Sequence, residues 1–158
     1  MKNCLFFLIL FFAGCQYDPY ADDLTTVKPK MTDIVGTYIF EQQTIDNSLK
    51  DDQIKSATIV LKNDSSFVAI KLPNFEEFQQ GYRYKGVVFA RGKWQISTNG
   101  GVANGAGGTD PIWGVDLTGV PDNLQHIEFM GHKPPYKLII TYGDPDEGAV
   151  MIFKRNGK

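Results

Sequence analysis

The chain of 158 residues carries 16 basic and 18 acidic side chains, a formal charge of −2 and 42% apolar residues, which suits a single folded domain with its own hydrophobic core. Charges of both signs are interspersed, so the basic stripe that nucleic-acid binding needs is missing. Both cysteines, Cys4 and Cys15, fall near the N-terminus, and the body after them has neither a disulfide nor a thiol for catalysis or metal binding.

The first element is a secretory signal: Lys2 supplies a positive charge, Leu5 to Phe12 an apolar run, and Ala13-Gly14 small residues before Cys15. The run is shorter than the roughly 20 apolar residues of a membrane-spanning helix. An ordinary cleaved signal with a chance cysteine, or a first transmembrane helix, are the alternatives. Phe12-Ala13-Gly14-Cys15 resembles the lipobox of bacterial lipoproteins. That resemblance implies cleavage before Cys15 and its modification with diacylglyceryl and N-acyl (palmitate-type) chains. Several acyl chains hold a protein at a membrane, where one is marginal. Gln16 replaces the Asp of enterobacterial inner-membrane retention, which implies, by the same resemblance, transfer to the outer membrane, on either its periplasmic or its surface face. Residues 1–14 are thus read as the signal, 15–33 as lipidated cysteine and flexible tether, and 34–158 as the folded domain.

Beyond the tether, with Pro19, Asp22, Asp23 and Pro29, the hydrophobic period becomes two. Strands are expected at 34–40, 57–61, 66–70, 92–96, 112–117, 126–130, 136–142 and 149–154. Lys62-Asn63-Asp64-Ser65 reads as a tight hairpin turn between the second and third. Asn74 with Glu77 three residues on suggests one short helical turn over 73–78, with Phe75 and Phe78 on one face. Tyr82-Arg83-Tyr84 and Val87 to Ala90 extend the sheet toward Trp94, with Gly86 and Gly92 marking bulges or curvature. Thr98 to Asp110, rich in glycine, reads as a flexible loop.

Eight short antiparallel strands without a crossover helix predict an all-β, up-and-down barrel, since closure removes exposed edges. A β-sandwich is the alternative. Ile34-Val35-Gly36-Thr37-Tyr38, Leu61 with Asp64, Arg91-Gly92-Lys93-Trp94 and Ile152-Phe153-Lys154-Arg155 together resemble the small lipocalin-like domains of bacterial lipoproteins. Tyr38 stands where lipocalins have a Trp, and the resemblance implies that Arg155 stacks on its ring.

Chemistry-bearing clusters are sparse. His126 and His132 lack ligand-spaced partners and read as strand-end histidines, so no metal is expected. Gly143-Asp144-Pro145-Asp146-Glu147-Gly148 reads as a solvated hairpin loop, with a weak cation site as its alternative. Gly100 to Gly108 lacks the helix and Lys-Ser/Thr pair of a phosphate loop. No serine sits in a nucleophile-elbow context. The reading is non-enzymatic and without cofactor; His126, His132 and Glu128 are the groups an enzyme would have to use.

Aromatic residues are abundant. The expectation is a membrane-anchored envelope lipoprotein that binds a small apolar or amphipathic ligand inside its barrel, lined by Tyr38, Trp94, Trp113 and Phe129, with Phe75 and Phe78 as a lid. The alternative is a protein-binding module, such as an inhibitor or immunity protein against an envelope hydrolase, acting through loops like Thr98 to Asp110.

Overall fold

A computed structural model describes residues 18–46, 54–79 and 81–157. The expected signal, the lipobox-like stretch and Cys15 lie outside the described residues. Eight strands follow in order: β1 (Gly36–Gln43), β2 (Thr58–Leu61), β3 (Ser66–Phe78), β4 (Gly81–Ala103), β5 (Thr109–Leu117), β6 (His126–Met130), β7 (Lys137–Thr141) and β8 (Val150–Arg155). Each pairs antiparallel with its neighbour in sequence, and β8 returns to β1, so one sheet closes on itself in a ring. The all-β expectation holds, and the strands make one sheet instead of the two a sandwich needs. Among the described residues no helix is long and apolar enough to cross a membrane.

Alternation places one side-chain set inside the ring. Tyr38, Ile59, Leu61, Phe67, Ala69, Trp94, Val115, Leu117, Ile127, Phe129, Leu138, Ile140, Met151 and Phe153 belong to one contiguous buried cluster. β7 and β8 are apolar at both parities, which is the pattern of strands covered on both faces. Their outward residues Ile139, Val150 and Ile152 form a second cluster with Ile112, Met130 and Leu24.

Leu24 comes from the segment expected to be a flexible tether, and here the structure corrects that expectation. Leu24 bridges Met130, the Thr25 amide donates to the Phe129 carbonyl at 2.9 Å, and the Trp113 amide donates to the Thr25 carbonyl at 2.9 Å. The β5–β6 ladder runs from Gly114–Glu128 to Asp116–His126; beyond Gly114, Thr25 stands between the two strands and takes the backbone bonds they do not exchange. Its hydroxyl donates to the Gly131 carbonyl at 2.6 Å, and the side chain is 1% exposed. A short helix, α1 (Met31–Ile34), then delivers buried Ile34 to the ring.

Two further expectations are overturned. Residues 73–78 are the end of β3, not a helical turn: Phe75 pairs with Tyr84 and Glu76 with Arg83. Phe75 and Phe78 are three apart on a strand and therefore face opposite sides, Phe75 buried and Phe78 45% exposed. Glu76 binds Arg83 and Lys85 across the hairpin, a β-type pairing that a helix would not offer. Residues 98–110 are a hairpin as well, with Gly101 opposite Pro111 and Ala103 opposite Thr109. Asn104 closes its turn, accepting from the Gly108 amide at 2.8 Å and donating to Asp110 at 2.9 Å. The expected turn at 62–65 is present, where Asp64 accepts from the amide and hydroxyl of Ser66.

Candidate functional site

The four residues expected to line a ligand cavity and the two expected to cover it are placed as follows. Tyr38 is fully buried, and its hydroxyl donates to the Ile34 carbonyl at 2.6 Å. Burial, partly offset by the nearby Arg155 charge, pushes that hydroxyl up to about 12. Trp94 donates from its indole nitrogen to the Lys62 carbonyl at 3.1 Å, Phe129 packs against Tyr136, and Phe75 packs against Tyr84 and Tyr142. These four occupy the central cluster. Trp113 is half-buried, packs on the same cluster, and lies under the Lys28 ammonium at 5.1 Å. Phe78 is outside, beneath the Arg83 guanidinium at 4.4 Å. Arg155 does not take the expected place on the Tyr38 ring. It donates instead to the carbonyls of Asp33 and Val35, tying α1 to the last strand.

His126 opens β6 and His132 lies just past its far end, near opposite ends of that strand as expected. His126 is exposed, with Nδ1 2.6 Å from Asp116, which also accepts from Ser97 at 2.8 Å. Burial would raise the Asp116 carboxyl, but the bonds from Ser97, His126 and Gln95 outweigh it and hold the group low. Glu128 lines a crevice of about 180 Å³ with Asn99, Asp122, Asn123, His126 and Thr141. Burial pushes its carboxyl up to about 6, against a hydrogen bond from Thr141 at 3.3 Å. His132 lines a larger crevice that Glu128 and Asn99 also border, with Asp18, Asp22, Asp144 and Asp146. Among the described residues no group of three or more His, Cys, Asp or Glu is placed to hold a metal. In the loop at 143–148, Asp144 caps a short turn and Glu147 accepts from the Tyr82 hydroxyl at 2.6 Å. Gly143 has a φ of +65° and a Cβ there would strike that hydroxyl, so glycine is required.

The feature that sequence reasoning missed lies on the outside of β3 and β4. At the bulge after Ala69 the register slips, with Lys71 at a φ of +51°, and the rest of the β3–β4 hairpin lies against the β5–β6 and β7–β8 connections. Asn123 donates to the Phe75 carbonyl, Tyr82 to the Tyr142 carbonyl and Tyr142 to the Pro73 carbonyl. The bend leaves an open outer face in which Phe89 is 65%, Ile70 41% and Val87 38% exposed. A groove of about 760 Å³ runs over it, lined by Val68, Ile70, Phe89, Lys62, Arg91 and Lys93 among others, with no carboxylate in its lining. In a chain of net charge −2, an apolar strip with a cationic rim is a local reversal of sign. The sequence signal was available: Val68 and Ile70 have the parity opposite to inward Phe67 and Ala69.

In comparisons with protein-family models, curated proteins and solved structures, nothing matches the chain.

Proposed function

We propose that this is a non-enzymatic lipoprotein of a bacterial outer membrane, anchored through acyl chains on Cys15, whose lipocalin-like barrel is a rigid platform for a protein partner. The carrying observation is the open β3–β4 face: Phe89, Ile70 and Val87 side by side in water, rimmed by Lys62, Arg91 and Lys93. Apolar clusters of this kind are costly to expose and mark interaction surfaces. The aromatic side chains that were expected to line a cavity, Tyr38, Trp94, Phe75 and Phe129, are spent on the core and on backbone carbonyls, which favours the partner reading over a carried apolar molecule. The anchor rests on the lipobox resemblance and fits a body whose first described residues are already strapped to the ring.

Two measurements test it. Metabolic labelling with palmitate should mark the full-length chain and not its Cys15→Ala variant; equal labelling refutes the anchor. Native mass spectra of the protein extracted from its own envelope should show no mass removable by organic solvent. A recovered lipid-like adduct would restore the carrier reading.

A further inference from the structure

The same hairpin carries an unused backbone edge. Lys93 exchanges backbone and side-chain bonds with Thr118, so its N–H and C=O point away from β3, whereas the Trp94 amide donates to the Ser65 carbonyl on the β3 side. Strand alternation then turns the N–H and C=O of Phe89 away from β3 too. From Tyr82 to Ala90, β4 bonds to β3 on one edge, and among the described residues no backbone group bonds to the other. No residue from Gly81 to Lys93 is buried. Natural sheets pair, cover or blunt such an edge, and one that is left open is a template for another strand.

Charge selects the occupant. Residues 81–93 hold Arg83, Lys85, Arg91 and Lys93 and no acid. Glu76 of β3 answers Arg83 and Lys85, and the exposed Asp64 in the β2–β3 turn lies near Lys62 and Lys93, so the rim beside Phe89 holds three cations, Arg91, Lys93 and Lys62, against that one carboxylate. A second copy pairing through this edge would set cations against cations, which disfavours self-association. Lipid headgroups would meet the charge but leave the backbone donors and acceptors unused.

We infer that an extended acidic segment of a partner protein adds as a strand to the β4 edge at Val87–Phe89, its acidic side chains meeting Arg91, Lys93 and Lys62 and its apolar ones covering Phe89 and Ile70. This deepens the partner reading above and rests on it. Main-chain bonds supply affinity in this mode, and alternate side chains supply specificity.

The test pans a random ten-residue peptide library on the full-length protein in detergent micelles, then measures synthetic copies of the enriched peptides by fluorescence anisotropy. Enriched peptides should carry Asp or Glu at alternate positions and bind more weakly as salt rises. Phe89→Ala removes the ring but keeps the amide and should weaken binding about tenfold, whereas Phe89→Pro removes the same ring and also the outward N–H, at a position where edge strands accept proline, and should abolish it. N-methylating alternate peptide residues should abolish binding with the protein untouched. Enrichment without acidic bias, equal loss in the two Phe89 variants, or indifference to N-methylation overturns strand addition. Vesicles of anionic lipid that bind wild type and lose both variants equally would assign the face to a membrane. If partner crosslinks from position 89 persist while strand addition fails, the face stands and this mode of docking falls.

Discussion

Replacing Glu128 with Gln isolates one buried proton. The native carboxyl holds its proton to about pH 6, against an ordinary value of 4.5, because burial in the crevice between Asn99, Asp122 and Thr141 penalises the charge. The native state then binds more protons than the unfolded chain between those values, so stability falls as pH rises from 4.5 through 6 and is level above. At about 1.4 kcal/mol per pH unit the full effect is about 2 kcal/mol; allowing for the solvent in the crevice, about 1 to 2 kcal/mol is expected. Asp116, Glu76 and Asp64 are held low and give the opposite slope at more acidic pH, so the difference between variant and wild type is the quantity to follow. Urea unfolding at a series of pH values should show Glu128→Gln gaining about 1 to 2 kcal/mol on wild type between pH 4 and pH 7. A difference that does not change with pH would refute the assignment. Asp18 contributes to the raised value, so Asp18→Asn should lower it, read by the shift of the Glu128 carboxyl resonance.

Three further outcomes follow from packing. Tyr38→Phe strips the donor from the buried Ile34 carbonyl and should cost about 1 to 3 kcal/mol by urea unfolding. Thr25→Val keeps the shape but loses the bond to Gly131, and a cost of about 1 kcal/mol should come with faster amide exchange at Thr25 and Trp113, the strap's own bonds. Gly92→Ala drives a Cβ into the Thr118 carbonyl and to 2.9 Å from Phe67, and should lower the melting temperature by several degrees, whereas Phe89→Ala, on the open face, should leave it unchanged.

Where the sequence could be read, local signals agreed with distant ones. β6 falls on its expected residues, and β2, β5, β7 and β8 within a few, because alternation, β-branched content and turn residues coincide there. The misreadings have a common cause. Asn74 and Glu77 imitate a helix start, but the partner that decides their conformation is the Tyr82–Val88 stretch of β4. The glycines at 100–108 imitate a loop, yet Gly101 is small because Thr109 and Asp110 cross it closely. Leu24 is a lone apolar residue in a polar run, and only the gap between β5 and β6 gives it a place. The open face was hidden by an ambiguity of parity. β3 and β8 both carry apolar residues on the outward side, and nothing local tells that Leu24 and its neighbours cover the β8 side while the β3–β4 side stays open.

We propose that the open β3–β4 face meets a protein. A photo-crosslinking amino acid placed at Phe89 in the full-length chain, in cells of its own source, tests it most directly, with the exposed Lys133 as a control position outside the face. The account predicts a discrete protein adduct from position 89 and none from 133, lost when Arg91 and Lys93 are replaced by Glu. No adduct from position 89, or the same adducts from both positions, would contradict it.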